Sequence, residues 1–204
     1  MTTPRDLLIA TLDVSPDHPV EQGDLSLALA GAELVDLVEA EAVTLDGDRI
    51  LPNLQPATGD RLLDHAVSSF VRQEPYETVD DWLWRRGRGL AATYLAALEA
   101  EGQVTRKRHG WFPLRTAPTA PTALADSPDR RHAAERWASG EPVLAGLAVA
   151  VGIRDESTED LTGLADEAVV TVLAAVNDAV MELEAARQRR AIEEAAFDNI
   201  WRGE

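Results

Sequence analysis

Between Trp84 and Arg115 the chain gathers seven basic residues, Arg85, Arg86, Arg88, Arg106, Lys107, Arg108 and Arg115, against only Glu99 and Glu101. Their chemistry is anion binding. All but Lys107 are arginine, whose planar fork suits a phosphate better than lysine's point charge. Trp82 and Trp84 flank the first cluster, and Trp111 follows the second. Tryptophan sits well at a water–lipid boundary, so cations and indoles side by side suit an interfacial site. Two plainer readings stand beside this one: core packing for each Trp, and a solvated charged face for the arginines.

Nothing in the sequence reads as a catalytic constellation. The four histidines, His18, His65, His109 and His132, fall in no metal-ligand spacing. Asp64 and His65 are neighbours on an expected helix, where successive side chains point about 100° apart, so they form no dyad. There is no GxSxG, no phosphate-binding glycine loop and no GxGxxG. The chain has no cysteine, which removes disulfides, thiol nucleophiles and thiolate metal sites. Asp24, Asp60 and Asp80 are explained as helix caps or first-turn charges. The expectation is no enzyme, no catalytic residue, no metal and no cofactor.

The 204 residues carry 19 Lys+Arg and 36 Asp+Glu, a net charge of −17. Residues 84–115 alone carry +5, leaving −22 on the remainder. A basic island in an acidic chain points to a local anionic partner. The overall charge argues against nucleic acid. At 45% apolar and 27% charged the composition is that of a globular protein. The start lacks the pattern of a signal peptide, and no apolar run approaches the roughly 18 residues that span a bilayer. The expected location is the cytoplasm.

These residues need a scaffold, and the periodicity supplies helices. Arg5–Leu12 reads as a short helix. Asp24 is the expected N-cap of a helix to about Glu41, with Leu25, Leu29, Ala32, Leu34, Val35, Leu37 and Val38 on one broad face. Asp46-Gly47 between Val43–Leu45 and Arg49–Leu51 signals a hairpin. Leu62 to Val71 reads as a helix ended by Pro75, followed by helices over Thr78–Arg86 and Leu90–Glu101, with Gly102 as C-cap. A second hairpin is expected from Val104–Arg106 to Trp111–Leu114, turning near His109-Gly110. Residues 115–128 read as a connector. Pro128–Ala138 and Pro142–Gly152 each place proline in a first helical turn. From Leu164 one long helix runs on, with Val169, Val172, Leu173, Val176, Val180 and Leu183 on one face. The expected fold is mainly α, a single compact helical domain with two small β-hairpins over residues 1–183, and a charged helical tail over 184–204.

Three collinear segments resemble the Golgi phosphoprotein 3 family. Pro56-Ala57-Thr58-Gly59-Asp60-Arg61-Leu62-Leu63-Asp64-His65-Ala66 is similar to the family's PTGD-x-LLDEAL stretch. Glu77-Thr78-Val79-Asp80-Asp81-Trp82-Leu83 is similar to ETVxxWI. Leu98-Glu99-Ala100-Glu101-Gly102-Gln103-Val104-Thr105 is similar to LVEKGVLT, which leads into a hairpin. The opening Asp6–Leu12 and the apolar Leu29–Leu37 also fit. The resemblance, to a bacterial-looking member, implies a mainly helical, non-enzymatic peripheral membrane protein. Eukaryotic members recognise phosphatidylinositol 4-phosphate and bind glycosyltransferase tails. The family's headgroup positions fall here on Glu21, Ala30, Arg88 and Ala91, so Arg88 carries the match, with Arg85 and Arg86 compensating from the neighbouring turn. The family's membrane and self-association hairpin falls on residues 104–114, with Arg106, Lys107, Arg108 and Trp111 as contacts. The implied partners are an anionic phospholipid surface, a protein client and a second copy through that hairpin.

Two other functions fit parts of the chain. A helix over Leu90–Glu101 followed by a basic hairpin looks like the helix and wing of a nucleic-acid binder. The tail, with Ile192, Ala196, Phe197, Ile200 and Trp201 among its charges, could bind a partner helix.

Overall fold

The computed structural model describes residues 2–14, 20–53, 58–106, 122–155 and 166–202. Helices dominate: α1 (Thr3–Val14), α2 (Gln22–Glu39), α3 (Arg61–Ser68), α4 (Val79–Arg86), α5 (Leu90–Ala100), α6 (Pro128–Ala138), α7 (Pro142–Ala150) and α8 (Glu167–Arg202). Strands β1 (Val43–Asp46) and β2 (Arg49–Pro52) form one antiparallel pair, and β3 (Val104–Arg106) and β4 (Thr122–Leu124) another. The mainly helical, single-domain expectation holds.

The core is built around α2. Between Asp24 and Asp36 this helix carries one charge, Glu33, so it has no polar face to turn outward. It is accordingly buried along its length from Leu25 to Leu37, and α1, α4, α5, α7 and α8 all pack on it. Gly31 marks the closest approach to α8. A Cβ there would lie 2.2 Å from Val176 Cγ2. The valines Val169, Val172 and Val176 of α8 are buried against this assembly, as their shared face predicts. Trp82 of α4 is fully buried, stacks on Phe70 at 4.3 Å between ring centroids, and donates its indole N–H to Ala30 O at 3.1 Å. A buried indole finds a partner because leaving it unmet is costly.

Several local expectations need correction. The N-cap of α2 is Glu21, with no side-chain cap, and Asp24 lies in the first turn. Helix α3 stops at Ser68 instead of running on toward Pro75, because Ser69 Oγ donates to Ala66 O. That stop turns Phe70 onto Trp82. The first hairpin turns at Gly47 and Asp48, with Asp46 already paired to Arg49. Strand β3 pairs with Thr122–Leu124, in the stretch expected to be a connector; its expected partner, Trp111–Leu114, lies outside the described residues. Half-buried Leu124 packs on the core and Ala125 N–H donates to Gln103 O, which extends the pairing. Asp60 caps α3 as expected, accepting from Leu62 and Leu63 N–H, and Asp80 lies in the first turn of α4; Thr78, expected as the first helical residue, is instead the N-cap of α4 and accepts from Asp81 N–H.

At the start of α1, Thr3 N–H donates to Asp36 Oδ2 at 2.8 Å. Burial is the main cause that pushes the Asp36 carboxyl up to about 6 from 3.8. Folding therefore takes up a proton between these values. Asp36 contributes most below about pH 3.8, and that contribution fades as pH rises through about 6. Asp36→Asn keeps an acceptor for Thr3 and removes the titration. In urea unfolding, the wild type is expected to lose stability relative to Asp36→Asn between about pH 4 and pH 7. Parallel pH profiles of the two proteins would contradict the assignment.

Candidate anion-docking surface

The three arginines of the α4–α5 turn have different fates. Arg85 pairs with Glu77, Nε to Oε1 at 2.6 Å and Nη2 to Oε2 at 2.7 Å, and lies over the Trp82 ring at 5.2 Å. Its side chain is 41% exposed, but the charge is met by a buried carboxylate. Arg86 points inward. It pairs with Glu33 by two bonds, of 2.7 and 2.8 Å, and Tyr94 OH donates to the same carboxylate at 3.0 Å. Arg86 Nη1 also lies 2.9 Å from His65 Nδ1, which must then accept. Glu33 is fully buried and Arg86 nearly so. Burial pushes Glu33 up, while the guanidinium and the phenol pull it back. Burial and the Glu33 charge push Tyr94 up.

Arg88 is exposed and, among the described residues, has no carboxylate partner. It sits on the rim of a cavity of about 270 Å³. Leu27, Trp84 and Leu183 line that cavity together with the polar groups of Gln22 and Ser26. Ser26 fixes the turn onto α2: its hydroxyl donates to Gln22 O at 2.6 Å and accepts from Ala91 N–H at 3.1 Å. Gly87 permits the approach, since a Cβ there would lie 3.3 Å from both Ser26 O and Leu27 Cδ2 of α2. The first turn of α2 contributes Gln22 and Gly23 to the cavity lining and has no capping side chain, so the positive end of its dipole lies near Arg88. The acidic Asp24 beside them is neutralised by Arg187 of α8 at 2.8 Å. A cation, an indole and an uncapped helix start around a cavity lined also by Leu27 and Leu183 can hold an anion with a greasy neighbour.

The sequence-predicted residues thus separate. Arg88 faces solvent, while Arg85 and Arg86 hold its turn to α3 and α2. Arg106 lies in β3, its side chain outside the described residues, and Lys107, Arg108 and Trp111 fall outside them altogether. Sequence reasoning missed Gln22, Ser26 and Leu183, which carry no charge. It also missed Glu33, whose signal was a lone acid inside an apolar helix. The recognition-helix reading finds no cation on α5. Among the described residues no helix is long and apolar enough to cross a membrane, and no three His, Asp or Glu side chains group to hold a metal ion.

A family model described as Golgi phosphoprotein 3 (GPP34) matches residues 4–195. No curated protein matches the chain.

Proposed function

The chain belongs to the Golgi phosphoprotein 3 family, and from that premise we propose that it is a non-enzymatic peripheral adaptor in the cytoplasm that docks on anionic phospholipid headgroups around Arg88. The observation that carries this reading is the exposed guanidinium of Arg88 beside Trp84 and the uncapped start of α2. Arg85 and Arg86 serve the site as supports, because their charges are spent on Glu77 and Glu33. The basic hairpin residues Arg106, Lys107 and Arg108, with Trp111, add a second point of membrane contact or self-association. Phosphatidylinositol 4-phosphate, the family's lipid, supplies the phosphate that Arg88 would meet.

Each Lys or Arg near an anionic surface contributes about 1 kcal/mol, falling off within a Debye length. The −17 net charge opposes this, so docking is weak, oriented and salt-sensitive. The chain is expected to pellet at low salt with phosphatidylcholine vesicles carrying phosphatidylserine or phosphatidylinositol 4-phosphate, and to be released at high salt. Reversing one charge changes the attraction twice, so Arg88→Glu should weaken binding about tenfold or more. Arg88→Glu pelleting like the wild type would remove the site. Wild type staying in the supernatant with both lipids would remove the function.

A further inference from the structure

The last part-buried stretch of α8 borders the cavity beside Arg88. Leu183 lines that cavity, and Arg187 follows one turn later on the same face of the helix. Both close on Gly23 of α2, where a Cβ would lie 2.8 Å from Leu183 Cδ2 and 2.7 Å from Arg187 Nη2. Arg187 Nη1 lies 2.8 and 2.9 Å from the two carboxylate oxygens of Asp24, and 3.4 Å from Glu184 Oε2. The hydrogen bond to Asp24 is the first cause that raises the Arg187 guanidinium above its ordinary value, and Glu184 and Glu21 add to it. In this pair the Asp24 side chain is 15% exposed and that of Arg187 28%. Beyond Arg187, residues 188–197 of α8 are all exposed. The pair therefore stands where the outer part of α8 leaves the body, next to a residue of the cavity lining.

We propose that Arg187 is a positioning residue of the anion site, so that docking at Arg88 and seating of the outer part of α8 strengthen each other. This deepens the Arg88 reading and rests on it. A phosphate brought to Arg88 enters a neighbourhood that also holds Glu21, Asp24 and Glu184. While Arg187 is seated, the charge of Asp24 is cancelled at hydrogen-bond distance. Drawn away, Arg187 leaves Asp24 as a bare carboxylate behind Gly23, where it repels the incoming phosphate. Leu183, one turn back, then loses the hold that keeps it on the cavity. The seated helix is thus the better anion binder. By linkage, an anion that prefers the seated form draws the helix toward it by the same factor. Anything that pulls the outer part of α8 off the body weakens docking, and a docked headgroup holds that part down. Arg187 does this through Asp24, without a contact of its own to the headgroup.

Sedimentation with phosphatidylcholine vesicles carrying phosphatidylserine, and hydrogen exchange of the full chain, test this together. Arg187→Gln should weaken vesicle binding about fivefold, the worth of one charge beside an anionic surface. Asp24→Asn/Arg187→Gln restores the wild-type sum of charge at the cavity and should bind within about twofold of the wild type. Vesicles should slow exchange at residues 183–190 several-fold in the wild type, and much less in the double variant, which binds without the pair. Inorganic phosphate in place of vesicles separates the free ion from the headgroup. Slowing with phosphate but not with vesicles supports the coupling and overturns the lipid as its source. Arg187→Gln binding like the wild type, or a double variant no better than the single, overturns the positioning role. Equal slowing in the double variant is shielding by the vesicle and overturns the coupling. A wild type that answers to neither probe overturns the Arg88 reading, and this inference with it.

Discussion

Arg86→Leu is expected to cost about 3–5 kcal/mol of folding free energy, the largest single loss in the molecule, because it leaves a carboxylate buried without its cation. Glu33 is fully buried on α2, and Arg86 holds both of its oxygens, at 2.7 and 2.8 Å. Once the guanidinium is gone, burial dominates and the Glu33 carboxyl rises further above 4.5. The folded variant then binds a proton that the unfolded chain releases. Its stability is best at acid pH and falls as pH rises above the unfolded value of 4.5. Arg86→Leu/Glu33→Leu removes both charges and should recover most of the loss, with Tyr94 OH as the remaining unmet group. Urea titrations of the two variants at several pH values test this. A single variant as stable as the wild type, or a double variant no better than the single, would show that the pair carries little of the fold.

Gly31→Ala should destabilise the protein by about 1–3 kcal/mol, although alanine is the better helix former by about 1 kcal/mol. The new methyl would lie 2.2 Å from Val176 Cγ2 and 3.7 Å from Leu83 Cδ2. Valine is stiff at χ1 in a helix, so α2 and α8 must separate to admit it. Val176→Ala by itself opens a cavity and is also destabilising. Combined, the two changes add one methyl where two are removed across the same gap, so their effects should be far from additive. Thermal melts of the two singles and the double measure this directly. A neutral Gly31→Ala would mean that the helices do not depend on this contact.

The architecture was legible because its helices obey simple periodicity. The long run from Leu164, the proline-led helices and the cap at Asp60 all announce themselves in residue order. What stayed hidden depends on contacts distant in sequence. Arg85 and Arg86 look like surface charge until the fold brings Glu77 eight residues, and Glu33 53 residues, to meet them. A signal for the second pair was present. One acid within Leu25–Val35 cannot face water when the whole helix is apolar, so it must find a cation. The strand partner of β3 was missed because Thr122–Leu124 lies among prolines and alanines that read as a connector. Long loop closure of this kind leaves no local pattern. The cavity beside Arg88 was only partly legible, since Ser26, Gln22 and Leu183 contribute backbone, hydroxyl and apolar surface rather than charge.

The enclosure of α2 has a consequence for how the molecule breathes. Beyond its first turn, its amides are enclosed by six neighbouring helices, so they exchange with solvent chiefly when the entire chain opens, while the outer end of α8 frays on its own. Anything seated against the first turn of α2 therefore grips the one element that every cooperative opening must release. Occupancy there is converted into resistance of the whole chain to heat, growing as the logarithm of ligand concentration.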